Sequence, residues 1–270
     1  MRPCYHVIFG LALSVFAPGA SLAHELWIDP RKSGFAPGDT LLADVRVGEN
    51  MRGGTQIYNP DNYRNLVYAA NRRANKITGV LGDRPAIQIK DAADGLHILV
   101  LDSTASKVTY KTFDKFARFV TRHDQDFAIA AHRSRGLPDT NFGESYFRFA
   151  KALVKVGTGA GADAMAGLAF ELTALDNPFT GTGPIRLRLT YKRAPVPDFQ
   201  IDIFHRPIGE TGDASLRHLR TDADGVATLP RARGAFLISA VRLEEPSPRI
   251  AEMMNVVWQS LWASTTFRID

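Results

Sequence analysis

The chain of 270 residues carries a formal net charge of +5, is 45% hydrophobic and 23% charged, and contains one cysteine, Cys4. This is the composition of a folded globular protein, long enough for one large domain or two ordinary ones held by their own core. A lone cysteine excludes a disulfide framework and a thiolate metal site. The basic excess, scattered over Arg72, Arg73, Arg186, Arg188, Lys192, Arg193, Arg231 and Arg233, forms no basic-aromatic surface for nucleic acid.

Residues 1–23 read as a secretory signal. Arg2 supplies the positive start, Val7–Phe16 an apolar core, and Ser21-Leu22-Ala23 a small-x-small cleavage site. Cleavage after Ala23 removes Cys4 and Arg2, leaving 247 residues with a net charge of +4. No lipobox cysteine follows, and no other stretch approaches the ~20 apolar residues of a membrane span. The expectation is a soluble periplasmic protein with no membrane span in the mature chain, which begins His24-Glu25-Leu26-Trp27.

A histidine at a free N-terminus offers two neutral nitrogens, the α-amine and ring Nδ1, which can close a six-membered chelate on a metal. The amine titrates near ~8 and the imidazole near ~6.5, so both can shed protons for a metal close to neutral pH. Such donors suit copper, nickel and zinc. The plainer alternative is a chain end that frays.

Further along, Thr40–Val47 alternates as a half-buried strand after the turn Ala36–Asp39. Ala86–Ile89 and Leu96–Leu101 are strands separated by the turn-like Asp91–Gly95, and the second, apolar on both faces, reads as central. Val108–Phe113 continues the pattern. Lys115–Arg122 and His123–Ser134 read as helices. Asn141–Val156 reads as another, because Phe142, Tyr146, Phe149, Leu153 and Val156 recur at helical steps. Gly157–Gly167 is Gly/Ala-rich, lacks phosphate-loop spacing, and reads as a flexible loop or linker. Strands follow at Phe170–Leu175, Ile185–Tyr191, Phe199–Phe204, Val226–Leu229, Ala235–Arg242 and Ser260–Ile269.

The expected fold is mainly β: two β-sandwich-like domains of the immunoglobulin or transthyretin kind with a short helical insertion between them. The division is a signal peptide over 1–23, an N-terminal β-rich domain ending in helices over 24–157, a linker over 158–168 and a C-terminal sandwich over 169–270.

Six histidines remain after cleavage: His24, His97, His123, His132, His205 and His218. No HExxH, HxH or cysteine pair fixes a metal site. On one continuous helix His123 and His132 would face opposite sides. His97 lies in a buried strand, where a hydrogen-bonded core residue is the commoner explanation, and His205 and His218 read as surface positions. Asp29, Asp39, Asp44 and Glu49 are too dispersed to argue for paired carboxylates. Asp222–Gly225 imitates the start of a calcium loop but lacks its closing glutamate, so a turn explains it. No GxSxG elbow supports serine catalysis. Trp27, Trp258 and Trp262 read as core anchors rather than a carbohydrate platform.

The segments His24–Pro30 (HELWIDP), Gly38–Gly54, His132–Pro138 (HRSRGLP), Phe142–Gly157 and Thr221–Leu229 (TDADGVATL) together resemble a family of exported bacterial proteins of unknown function that includes NikM-like components of nickel uptake. The resemblance covers essentially the whole mature chain. It implies a periplasmic, mostly β protein handling nickel, cobalt or another transition metal, with His24 the first ligand and His132 the second. Unlike membrane-embedded nickel components, this chain has no span after the signal, which favours binding or delivery to a membrane metal transporter. The resulting expectation is a non-enzymatic metal-binding protein that holds nickel, cobalt or copper through His24 with His97 or His132. The alternatives are a metal-free β-sandwich module of the envelope that binds a glycan or partner, and an oxidase acting on polysaccharide through a histidine-bound copper.

Overall fold

The computed structural model describes residues 24–270; the signal-like segment and its cleavage site lie outside the described residues. The described chain is mainly β. Its first half holds β1 (Glu25–Pro30), β2 (Gly34–Phe35), β3 (Leu41–Glu49), β4 (Arg52–Gln56), β5 (Tyr63–Ala70), β6 (Arg73–Lys76), β7 (Ile87–Ile89), β8 (Gly95–Ser103) and β9 (Ser106–Tyr110), then the helices α1 (Phe113–Arg122) and α2 (Phe127–Ser134). The second half holds β10 (Phe142–Val156), β11 (Phe170–Ala174), β12 (Ile185–Tyr191), β13 (Ala194–Pro195), β14 (Gln200–Arg206), β15 (Ser215–Arg220), β16 (Val226–Leu229), β17 (Gly234–Glu244), the helix α3 (Pro248–Met254) and β18 (Trp258–Ile269). No described helix is long and apolar enough to cross a membrane.

These strands build three sheets. A ten-stranded sheet runs β15-β14-β17-β18-β10-β8-β5-β6, with β2 and β9 also paired to β10. A second sheet holds β1, β3, β4 and β7, and a third β11, β12, β13 and β16. Successive side chains leave a strand on opposite faces, so the central strands feed two cores. Leu96, Ile98 and Val100 of β8 join Phe149 and Leu153 of β10 against the sheet of β11 and β12. Leu99 and Leu101 point the other way, with Ala150, Ala152 and Val154, against Ile28, Leu41, Val45 and Ile87. Phe142 has the parity of Ala150 on β10, so α1 and α2, which pack Phe116, Phe119 and Val120 over Phe142, Trp258 and Trp262, lie on that second face.

Most strands fall where hydrophobic alternation places them, and β8 is the central strand its two apolar faces imply. The helix expected over Asn141–Val156 is instead the fifteen-residue strand β10. It is flanked by β18 and β8 and buried on both faces, so it shows no period of two. Glu144 and Lys151, which look like solvent positions of a helix, are buried.

The Gly/Ala-rich stretch is not a flexible tether. The amides of Ala166, Gly167 and Leu168 donate to Glu171 at 2.6, 3.0 and 3.1 Å, and Asn177 Nδ2 donates to the carbonyls of Gly159 and Gly161. Nor does the sheet break there. β10 lies parallel to β18, from Glu144 opposite Trp258 to Ala152 opposite Thr266. What stands between the two expected units is therefore a shared central strand, and α1 and α2 precede it.

Candidate functional site

β1 pairs antiparallel with β3, Glu25 opposite Gly48, and the register carried one step further sets His24 against Glu49. β3 then turns into β4 through Asn50 and Met51, both with positive φ, with Glu49 opposite Arg52. This is the two-residue hairpin geometry that favours Asn at its first position. The start of β1 is anchored by Trp27, which packs with Phe204, Leu237 and Met51. Gly53 permits that close approach, since a Cβ there would stand 2.7 Å from the Trp27 ring. His24 Nδ1 lies 3.2 Å from Glu49 Oε1. Although the residue is partly exposed, this ring nitrogen is buried, and no group among the described residues is aligned to hydrogen-bond it.

Behind this pair runs a seam of buried charge. Arg122, at the end of α1, reaches Glu25 at 3.6 Å and Glu49 at 3.7 Å. Glu25 is 3% exposed. Burial pushes its carboxyl up, against its backbone hydrogen bond and the opposing charges of Arg122 and His123. Asp202 of β14, also buried, takes His218 Nδ1 at 2.8 Å and faces His123 Nδ1 at 3.6 Å. Burial works to raise the Asp202 carboxyl, but the two imidazoles outweigh it and hold the group below the usual range. Sequence reasoning set His123 and His218 aside and missed Asp202. Their meeting depends on β14–β15 pairing and on where α1 ends, which no local spacing reveals.

His97 and His132 do not join His24. Among the described residues no three His, Cys, Asp or Glu side chains gather as a metal-holding group. His132, at the end of α2, is fully buried between Phe113, Phe116, Phe142 and Trp258. Its Nδ1 accepts from Trp258 Nε1 at 3.0 Å, and its Nε2 donates to the Pro138 carbonyl at 3.0 Å. Both nitrogens are spent inside the core, so His132 is a structural residue and no ligand. His132→Phe is expected to cost about 1–3 kcal/mol, because the Trp258 N–H loses its acceptor. Urea unfolding of the variant checks this, and its metal affinity should match that of the parent. His97 donates Nε2–H to the Ala93 carbonyl at 2.8 Å and lines a cavity with Tyr68, a group apart from His24.

Two further polar clusters escaped the sequence. Glu144 is fully buried, accepting from Tyr110 at 2.9 Å and from Ser260, whose oxygen accepts from Trp262 Nε1 at 2.9 Å. No cation among the described residues pairs with it, and burial pushes its carboxyl up to about 7 despite those hydrogen bonds. Lys151 Nζ sits 2.7 Å from Asp163 and 3.2 Å from Glu171, all three side chains 1% exposed. The three tryptophans are core anchors, as expected, and the amides of Asp224 and Val226 donate to Asp222 in the expected turn.

Fold and site together describe a mainly β protein with a histidine–carboxylate pair at the head of its first strand. The chain belongs to the DUF4198 family, a domain of unknown function whose model matches residues 21–243. No curated protein matches it. Among solved structures, the fibronectin(III)-like modules of CbhA from Clostridium thermocellum align at 9% identity over 90% of this chain and 94% of theirs, with a TM-score of 0.17. The N-terminal four Ig domains of Dscam1 isoform 4.4 align at 11% identity over 92% of this chain and 53% of theirs, with a TM-score of 0.20. Both scores are too low for either alignment to carry an argument.

Proposed function

We propose that this is a periplasmic protein, exported by cleavage after Ala23, that binds a divalent transition metal through His24 and Glu49. The metal is nickel, cobalt or copper, and the bound ion is cargo for an uptake system of the NikM-like kind. The observation that carries the reading is the buried His24 Nδ1, with no aligned partner among the described residues, 3.2 Å from Glu49 Oε1. Two residues then offer three donors: the freed α-amine, the imidazole nitrogen and a carboxylate oxygen. Nitrogen and carboxylate donors together suit these ions. Arg122 faces the same Glu49 oxygen and balances its charge before the ion arrives. In this reading the chain is two sandwich-like units on one shared sheet, and the metal end lies where the first unit begins.

Titration of the processed protein with Cu²⁺ and with Ni²⁺, beside the variants His24→Ala and Glu49→Gln, tests this. His24→Ala should weaken binding at least tenfold, which corresponds to about 1.4 kcal/mol. Glu49→Gln should weaken it less, since two nitrogens remain. Copper should bind tightest in vitro whichever ion is the physiological one. Equal affinity in the parent and His24→Ala overturns the reading.

A further inference from the structure

Near the start of β8, His97 forms part of the wall of a cavity of about 370 Å³, within the size range of small-molecule sites. The residue is 1% exposed. Its Nε2 lies 2.8 Å from the Ala93 carbonyl, a group that can only accept, so Nε2 carries a proton. Nδ1 is then the ring's second polar atom, and it is buried with no partner among the described residues. A buried polar atom left without a partner costs about 1–3 kcal/mol. The ring itself is held by stacking on Tyr68, 6.2 Å between centroids and 9° between planes.

The remaining polar wall is mixed. Arg73 brings donors only, Asp91 acceptors only, and Asn71 and Asn75 both. The two formal charges cancel, so an ion has no net pull into the cavity. A ligand complementary to this wall must give hydrogen bonds to His97 and Asp91 and take them from Arg73. A hydroxyl does both, and it answers Nδ1 whether that atom is bare or protonated. We propose that this cavity binds a small neutral polyhydroxylated molecule of monosaccharide size. The proposal is independent of the metal site and uses none of its residues.

The test is an NMR titration of the full processed chain, in the presence of EDTA, with D-glucose and N-acetyl-D-glucosamine. Ethanolamine and acetate serve as charged comparisons. At least one saccharide should bind saturably and move the amide signals of Asn75, Ala92 and Ala93 together with the His97 Nδ1 resonance. His97→Phe should weaken that binding at least fivefold. Arg73→Ala, which alters an exposed side chain outside the core, should also weaken it, and it serves if His97→Phe does not fold. Three results overturn the proposal: no saturable shift with either saccharide, tighter binding of ethanolamine or acetate, or saccharide affinity unchanged in the variants. An Nδ1 resonance already that of a hydrogen-bonded nitrogen before any addition, unmoved by saccharide, marks an ordered water as the occupant and overturns it equally.

Discussion

Lys151→Met should lower the stability of this protein by about 3–5 kcal/mol, the cost of removing one partner from a buried ion cluster. Lys151 Nζ is held by Asp163, Glu171 and the Ala164 carbonyl, with both carboxylates as buried as the ammonium. Without it, two carboxylates face each other in the interior with no cation. Burial already pushes the Asp163 carboxyl up, against the opposing effect of Lys151. The same carboxylates hold the 158–168 loop: Asp163 accepts from the Ala174 amide, and Glu171 from the amides of Ala166, Gly167 and Leu168. Urea unfolding measures the loss, and limited proteolysis should find new cleavage near Gly161–Met165. A loss below about 1 kcal/mol would mean that the cluster is better solvated than its burial indicates.

The second large effect is a pH dependence centred on Glu144. A carboxyl whose folded pKa lies above its unfolded one favours the fold while neutral. That contribution is complete below the unfolded value, near 4.5, and is lost as pH rises through about 7. The span corresponds to about 3 kcal/mol, at 1.36 kcal/mol for each pKa unit. Glu25, also raised by burial, acts in the same direction, while Asp202, held low by its histidines, acts in the opposite one and loses its contribution as pH falls. The difference between Glu144→Gln and the parent isolates the one group. Urea midpoints at pH 4 and pH 8 should show the variant gaining about 3 kcal/mol relative to the parent between the two. A difference that does not change with pH would show Glu144 ionised in the fold.

How far the sequence announces this molecule depends on how local each feature is. The strands β3, β12 and β14 are legible because each alternates, and β8 because it is a short run apolar on both faces and bounded by a turn. β10 is not: a strand buried on both faces has no alternation, and five of its apolar residues fall by coincidence at helical steps. The loop after it reads as flexible because its glycines and alanines are visible, while the carboxylates that fasten it, Asp163 and Glu171, matter only once Lys151 is placed on β10. His24 is legible as a consequence of the cleavage motif. Its neighbour Glu49 is not, since the pair exists only through the β1–β3 register. His132 draws attention as a ligand only through the resemblance read in its segment, and its neighbours in space are aromatic rings and a tryptophan N–H. Chemistry-bearing residue types are thus visible in the chain, whereas the partner that decides each role comes from strand pairing.

In the proposed site a freed amine and the His24 ring act together on one ion. The most direct measurement compares Cu²⁺ affinity of the chain beginning at His24 with that of the same chain carrying an acetylated α-amine, which keeps the imidazole and Glu49 but loses one nitrogen donor. One ion per chain is expected, with an affinity at least tenfold lower after acetylation. Equal affinity in the two forms would contradict it, because the imidazole would then bind without the terminus that defines the site.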